Sequence, residues 1–239
     1  MNYPKTATYP VSLLREKIMG PNPLKLTEEL LLDNRIMQDA VVLDLGSGTG
    51  ITSVFMAKEY PFHMVYAADL WSDPKENQEF FDQMGVPREK LKAVKADATN
   101  LPFPLSFFDA VVSSDSYNYF GRDPHYLDAK LLPFVKRGGY LYLCVPGMKK
   151  DLHENLPEEL LLSWNKEQLD YIHDIPYWKA MIGQAQGCET VSVSEMETGG
   201  EAWDDWLACD NEYAKGDRKS MDAGAGKYLN FIKMVLRKR

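Results

Sequence analysis

The amino-acid sequence predicts an α/β protein built on a doubly wound, largely parallel sheet. Two observations carry that expectation. Short apolar and β-branched runs recur at 41–46, 64–69, 91–96, 108–113 and 140–145, and most of the stretches between them have helical composition. The first run, Val41-Val42-Leu43-Asp44-Leu45, passes directly into Gly46-Ser47-Gly48-Thr49-Gly50 and then into a helical stretch at 51–60. A strand, a glycine turn and a helix N-terminus in that order make a place for a nucleotide-like cofactor.

The elements follow in order. Pro4, Pro10, Pro21 and Pro23 break the N-terminal stretch and leave room for one short helix at 11–19. A second helix is expected to start at Thr27 as N-cap, with Glu28 and Glu29 in its first turn and Leu26, Leu30, Leu31 and Ile36 on its apolar side. In the strand at 41–46 only Asp44 interrupts the apolar run, so both faces read as covered. Val54, Phe55, Met56 and Ala57 let the next helix pack on the sheet. The second strand, 64–69, ends in Asp69, and a polar helix at 73–84 stops at Gly85. The third strand, 91–96, ends at Asp97. Pro102 and Pro104 mark a loop before the fourth strand at 108–113. A helix is expected at 127–136, ended by Gly138-Gly139 before a fifth strand at 140–145. The last third is less regular. It offers a charged, leucine-bearing segment at 152–164, helices at 166–172 and 177–186, and a strand at 188–196. An aromatic-acidic helix from near Glu201 and a closing strand at 228–236 complete it. No repeat or linker divides the chain. The expectation is one domain with an N-terminal helical cover (1–40), a cofactor-binding core (41–146), a lid or insertion (147–187) and C-terminal strands (188–239).

Composition narrows the class. The chain has 239 residues, 45% hydrophobic and 26% charged, ordinary values for a globular protein. Lysine plus arginine (27) against aspartate plus glutamate (35) gives a net charge of −8. That balance disfavours nucleic acid as the main partner, because a phosphate backbone needs a basic footprint. Cys144, Cys188 and Cys209 form no CxxC pair, and the four histidines show no HExxH spacing, so no disulfide framework or metal site is expected. The N-terminus lacks a basic-then-apolar signal design and no run approaches a membrane span, which leads to the expectation of a cytoplasmic protein.

Glycine spacing separates two cofactor classes. A dinucleotide fingerprint, G-x-G-x-x-G, would put its third glycine where Ile51 stands; here it comes one residue early, at Gly50. Asp69 lies 19 residues beyond Gly50, and a carboxylate there can accept from both ribose hydroxyls of an adenosine. Enzymes that bind NAD place an acid in the same way, so Asp69 alone does not decide, and capping of the helix that follows is its plain alternative. The pattern Asp-x-Gly-x-Gly-x-Gly at 44–50 instead resembles motif I of the class I S-adenosylmethionine-dependent methyltransferases. Three further blocks resemble the same family in the same order: Val-Lys-Ala-Asp-Ala-Thr-Asn-Leu-Pro-Phe at 94–103, Ser-Phe-Phe-Asp-Ala-Val-Val-Ser-Ser at 106–114, and Leu-Leu-Pro-Phe-Val-Lys-Arg-Gly-Gly-Tyr-Leu at 131–141. Together they cover roughly residues 40–146, and the chain most resembles the small-molecule, quinone-methylating (type 11) group.

The resemblance implies a Rossmann-like seven-stranded sheet of order 3-2-1-4-5-7-6 with strand seven antiparallel, the strands at 188–196 and 228–236 being six and seven. It implies S-adenosyl-L-methionine as cofactor and S-adenosyl-L-homocysteine as product. Gly46, Ser47, Gly48 and Gly50 would admit the methionine portion, and Asp44 would fix the loop or reach the amino group through water. Asp69 would hold the ribose, Leu70 would flank adenine, and Asp97 with Ala98 would meet its amino edge. Ser113 or Ser114 would offer a backbone carbonyl to the methionine ammonium.

Methyl transfer relies on alignment and desolvation, so the core does not name the acceptor. The expected acceptor is a small organic molecule, bound among aromatics after strand four (Tyr117, Tyr119, Phe120), in the insertion (Trp164, Tyr171, Tyr177, Trp178) and after strand six (Trp203, Trp206). For any single aromatic, core packing is the plainer reading. Asp115, Tyr117 and His153 are the candidate acid/base groups, with His125 behind them, and a surface histidine is the plain alternative for His153. The segment Met19-Gly20-Pro21-Asn22-Pro23 is expected to fold over the cofactor, with Tyr9 in the same cover. Two other readings stand beside methyl transfer: a nicotinamide-dependent oxidoreductase, and a non-catalytic S-adenosylmethionine-binding protein.

Overall fold

The computed structural model describes residues 3–32, 35 and 38–239. Its centre is one seven-stranded sheet. Strand β1 (Val41–Leu45) pairs in parallel with β2 (Met64–Asp69) on one side, and β2 with β3 (Leu91–Lys95). On its other side β1 pairs in parallel with β4 (Phe108–Ser114), and β4 with β5 (Val135–Met148). Strand β7 (Leu229–Lys238) runs antiparallel between β5 and β6 (Cys188–Glu195). The order is therefore β3-β2-β1-β4-β5-β7-β6, as the resemblance implies.

Alternation along the strands explains why both sheet faces are dry. Val42 and Val112 join a cluster on one face with Val54, Phe55 and Leu26, while Leu43, Leu45 and Val111 join Tyr126, Leu131 and Trp178 on the other. The first face is covered by helices α1 (Val11–Lys17), α2 (Pro23–Leu30) and α3 (Ile51–Glu59), and α4 (Pro74–Gln83) packs beside β3. Short helices α5 (Tyr117–Phe120), α6 (Glu158–Leu161), α7 (Lys166–Leu169) and α8 (Ile175–Ile182) are followed by α9 (Gly199–Leu207) and α10 (Glu212–Asp222).

Three local differences from the sequence expectation have physical reasons. Helix α2 begins at Pro23, not after Thr27: the Asn22 side chain accepts the Leu24 N–H at 3.0 Å, and Pro23 takes the first helical position, where its missing N–H costs nothing. Thr27 is an interior helical residue, and Ile36 lies outside the described residues. The helix expected at 127–136 is a π-helical turn, Leu127–Leu131, then a 3-10 turn, Leu132–Phe134. Pro133 cannot continue a helix, and Val135 already pairs with Phe108, so β5 starts before Gly138-Gly139 and absorbs them in an irregularity. Helix α10 had no counterpart in the sequence reading. Its buried residues are Ala214 and Ser220, so it shows no apolar stripe; it is started by Asn211, whose side chain accepts the Ala214 N–H at 2.9 Å.

Candidate functional site

Strand order reverses between β1 and β4, and a cavity of about 730 Å³ lies at the carboxyl ends of these strands. That volume is within the ~300–1,000 Å³ usual for small-molecule sites, and the place is where open α/β sheets bind ligands. Its wall is the glycine loop, the ends of β2 and β3, the loop after β4, and the segment from Lys17 to Pro23.

The glycine loop divides its labour. Gly46, Gly48 and Gly50 all have positive φ (79°, 52° and 81°). A Cβ on Gly50 would collide with the Phe81 ring, whereas a Cβ on Gly48 would meet nothing within 4 Å. Gly50 thus serves helix packing and is absent from the cavity wall, while Gly46, Ser47 and Gly48 form that wall. The Ser47 hydroxyl is buried with no partner among the described residues. Asp44 also stays out of the wall. Its buried carboxylate accepts from the Thr52 hydroxyl at 2.7 Å and the Ser53 hydroxyl at 2.5 Å, which ties β1 to the first turn of α3. Burial pushes its pKa up to about 6 against the pull of those two donors.

The acids at the ends of β2 and β3 do face the cavity. Asp69 accepts the Gly48 N–H at 3.0 Å on Oδ2 and the Trp71 and Ser72 N–H groups, each at 2.8 Å, on Oδ1. It therefore fixes both the glycine loop and its own turn while keeping lone pairs toward the cavity. Asp97 accepts the Thr99 N–H and hydroxyl on Oδ1, which hold its carboxyl below the usual range. Leu70, Ala98 and Ser114 line the same space. Ser113 does not: its hydroxyl donates to the Leu45 carbonyl at 2.9 Å, next to Ser116, and so locks the end of β1.

The cover segment is anchored at both ends. The Thr49 hydroxyl donates to the Lys17 carbonyl at 2.7 Å, the Asn22 N–H to the Ala202 carbonyl at 2.9 Å, and the Asn22 side-chain amide to Asp205 at 2.7 Å. Ile18 to Pro21 are thereby held across the cavity. Tyr9 is not part of this cover; it packs edge-on against Phe55 on the outer side of α3 and reaches Glu59.

Of the three acid/base candidates, only Asp115 borders the cavity. It has a φ of 57°, uncommon for a residue with a side chain, and burial with the neighbouring Asp217 charge pushes its pKa up to about 7. Tyr117 is corrected to a core residue. It is 1% exposed, ringed by Phe120, Tyr126 and Trp178, and its ionisation is driven far up by burial. His153 is also displaced from the reaction centre: its ring nitrogens contact Asp151 at 2.6 Å and the Leu169 carbonyl at 3.1 Å, and it lines neither cavity described here. His125 is exposed.

A second chamber of about 170 Å³ shares Met19, Gly20, Pro21 and Asp115 with the first. Trp164, Trp203, Asp217 and Asn230 line it. The sequence reading marked both tryptophans but missed Asp217 and Asn230; a lone acid and a lone amide in polar contexts left no pattern to find. Trp178 and Trp206 are instead fully buried core residues.

The comparisons with known proteins agree with this geometry. Residues 43–143 match the family model described as "Methyltransferase domain". A curated relative, a malonyl-[acyl-carrier protein] O-methyltransferase of Geobacter sulfurreducens, is 34% identical over 83 residues; the match covers 35% of this chain and only 30% of the relative. Phosphoethanolamine N-methyltransferase 2 of Haemonchus contortus, solved with phosphomonomethylethanolamine and S-adenosylhomocysteine, superposes with a TM-score of 0.69 at 15% identity, over 93% of this chain and 54% of that one. Geranyl diphosphate C-methyltransferase of Streptomyces coelicolor A3(2), solved with Mg2+, geranyl diphosphate and S-adenosyl-L-homocysteine, gives 0.67 at 12% identity, over 90% of this chain and 80% of that one. At such identities the two structures speak for the fold. No helix among the described residues is long and apolar enough to cross a membrane. Residues 43–143 thus match a methyltransferase domain, and the sheet order and glycine loop around them have the layout that the motifs of the sequence imply.

Proposed function

We propose that the chain transfers a methyl group from S-adenosyl-L-methionine to a small organic acceptor. The observation that carries the reading is the first cavity: Asp69 and Asp97 stand at the ends of adjacent strands beside an open Gly48, and Asp115 stands across from them at the end of β4. In this reading Asp69 accepts from the ribose hydroxyls, and Leu70, Asp97 and Ala98 bracket adenine. Gly46, Ser47, Gly48 and Ser114 meet the methionine portion, the buried Ser47 hydroxyl finding there the partner it lacks among the described residues. Asp44 and Gly50 support the loop from behind. When bound, the cofactor supplies an electrophilic methyl on a sulfonium, whose carbon–sulfur bond breaks as the acceptor's lone pair forms the new bond. The chain's own part is to align the partners, exclude water beneath the 18–23 cover, and hold a proton acceptor, Asp115, at the acceptor side.

The chain acts in this reading as one domain, with 1–40 as cover, 41–146 as cofactor core, 147–187 as acceptor-side insertion and 188–239 as closing strands. A small acceptor suits a second chamber of only 170 Å³, and the acidic surface opposes nucleic acid. Three unpaired, buried cysteines suit a reducing, cytoplasmic setting.

The test is turnover of S-adenosylmethionine labelled in its methyl group, with panels of small amines, phenols, thiols and carboxylic acids as acceptors. The reading expects the label in one acceptor class with matching formation of S-adenosylhomocysteine. Binding of the cofactor without transfer to any panel member, even at millimolar acceptor, would favour a non-catalytic binding protein.

A further inference from the structure

The second chamber carries chemistry that cofactor binding does not use. Asn230 is 8% exposed and lines it, yet among the described residues neither its Oδ1 nor its Nδ2 has a partner, and the Trp203 indole N–H has none either. Buried amide atoms left this way cost stability, so such a group aimed into a cavity marks a ligand position. Two carboxylates, Asp115 and Asp217, line the same space, and among the described residues none that lines it is basic. Asp217 is fixed by the Trp164 and Trp206 indole N–H groups, each at 2.8 Å, so it cannot turn away from the chamber. Its repulsion of Asp115 is one of the two causes that keep the Asp115 carboxyl high. A cation in the chamber would remove that repulsion. The rings of Trp164 and Trp203, 6.0 Å apart and inclined at 57°, add attraction for a cation through their faces.

We propose that this chamber is the acceptor subsite and that the acceptor is a small aliphatic amine, received as its ammonium ion between Asp115, Asp217 and the Trp164 and Trp203 rings, with Asn230 bonding a polar substituent. The proposal deepens the methyl-transfer reading and rests on it. At about 30 Å³ for each water-sized group, the 170 Å³ chamber holds roughly five or six such groups, so the amine is a short one. An amine attacks only with its lone pair free. Asp115, which borders both chambers, takes the ammonium proton and becomes the carboxylic acid, leaving a neutral nitrogen; that nitrogen bonds the methyl carbon as the carbon–sulfur electron pair passes to sulfur. A phenolate or thiolate would instead bring negative charge between two carboxylates.

The test uses the full chain saturated with S-adenosylhomocysteine and tetramethylammonium, a cation that cannot be methylated. Binding is followed by tryptophan emission and calorimetry, with tert-butyl alcohol as a neutral probe of similar size. The expected result is saturable binding of the cation at least tenfold tighter than the alcohol. It should weaken about tenfold in Asp115→Asn and several-fold in Trp203→Leu, both variants still binding S-adenosylhomocysteine. If the alcohol bound as well as the cation, or the cation bound Asp115→Asn undiminished, the amine assignment would be overturned. Binding of S-adenosylhomocysteine without any binding of the cation would remove the amine inference alone. Failure of the wild-type chain to bind S-adenosylhomocysteine would remove the methyl-transfer reading beneath it.

Discussion

Gly20 and Asp115 are in direct apposition across the junction of the two chambers: a Cβ built on Gly20 would stand 2.9 Å from Oδ2 of Asp115. No ordinary Cβ tolerates that distance, so Gly20→Ala must swing the carboxylate aside. The variant is expected to lower kcat/KM for the acceptor about tenfold, equivalent to ~1.4 kcal/mol, while its affinity for S-adenosylhomocysteine changes less. Steady-state kinetics beside calorimetry check this; equal losses in both would mean that the segment only holds the cofactor.

Asp115 is expected to set a pH limb as well. Its carboxylate is the proton-accepting form, and a pKa of about 7 leaves it mostly protonated in mildly acidic solution. The kcat/KM profile should therefore fall about tenfold per pH unit below that value, and Asp115→Asn should abolish the limb along with most of the activity. The stability sign runs the other way. The folded pKa lies above the ordinary 3.8, so the folded state holds the proton longer, and the contribution present at low pH is lost as pH rises through about 7. Denaturant midpoints of Asp115→Asn should accordingly gain on wild type between pH 4 and 8.

Asp44 is expected to behave as a structural acid. Asp44→Ala leaves the Thr52 and Ser53 hydroxyls without their acceptor and should cost about 1–3 kcal/mol in urea unfolding. Asp44→Asn keeps the shape but not the charge. Because the folded pKa is raised to about 6, wild type loses stability from near pH 4 until pH passes that value, and the deficit of Asp44→Asn should shrink over the same window. A pH-independent deficit would contradict this account.

Two loop glycines should separate folding from binding. Gly50→Ala combines a left-handed backbone with collision against Phe81 and should destabilise the chain by about 2–4 kcal/mol. Gly48→Ala meets open space, so its folding cost should be backbone strain alone, about 1 kcal/mol, with a larger loss of S-adenosylhomocysteine affinity. Thermal unfolding and calorimetry on both variants make the comparison.

The side of the cavity proposed for the cofactor was legible because its signals are local. Val41 to Leu45 needed both faces covered, three glycines marked a turn, and Asp69 and Asp97 ended strands that share one sheet edge. The second chamber, proposed for the acceptor, was not, because it is assembled over long separations. Asp217 acquires its place from Trp164 and Trp206 on other elements, and α10 buries too little to show a stripe. Tyr117 misled for a related reason: it follows the right strand, but α5 turns its ring into the cluster with Trp178. The start of α2 is hidden in the sequence because Pro23 reads as a break, when in the fold it is the first helical residue behind the Asn22 cap.

Calorimetric titration with S-adenosylhomocysteine, with NAD for comparison and Asp69→Ala as control, tests the central claim most directly. The account predicts saturable binding of S-adenosylhomocysteine and none of NAD, with affinity falling roughly 10- to 100-fold in Asp69→Ala as a charged hydrogen-bond acceptor is lost. Saturable binding of NAD without S-adenosylhomocysteine, or affinity unchanged in Asp69→Ala, would contradict it.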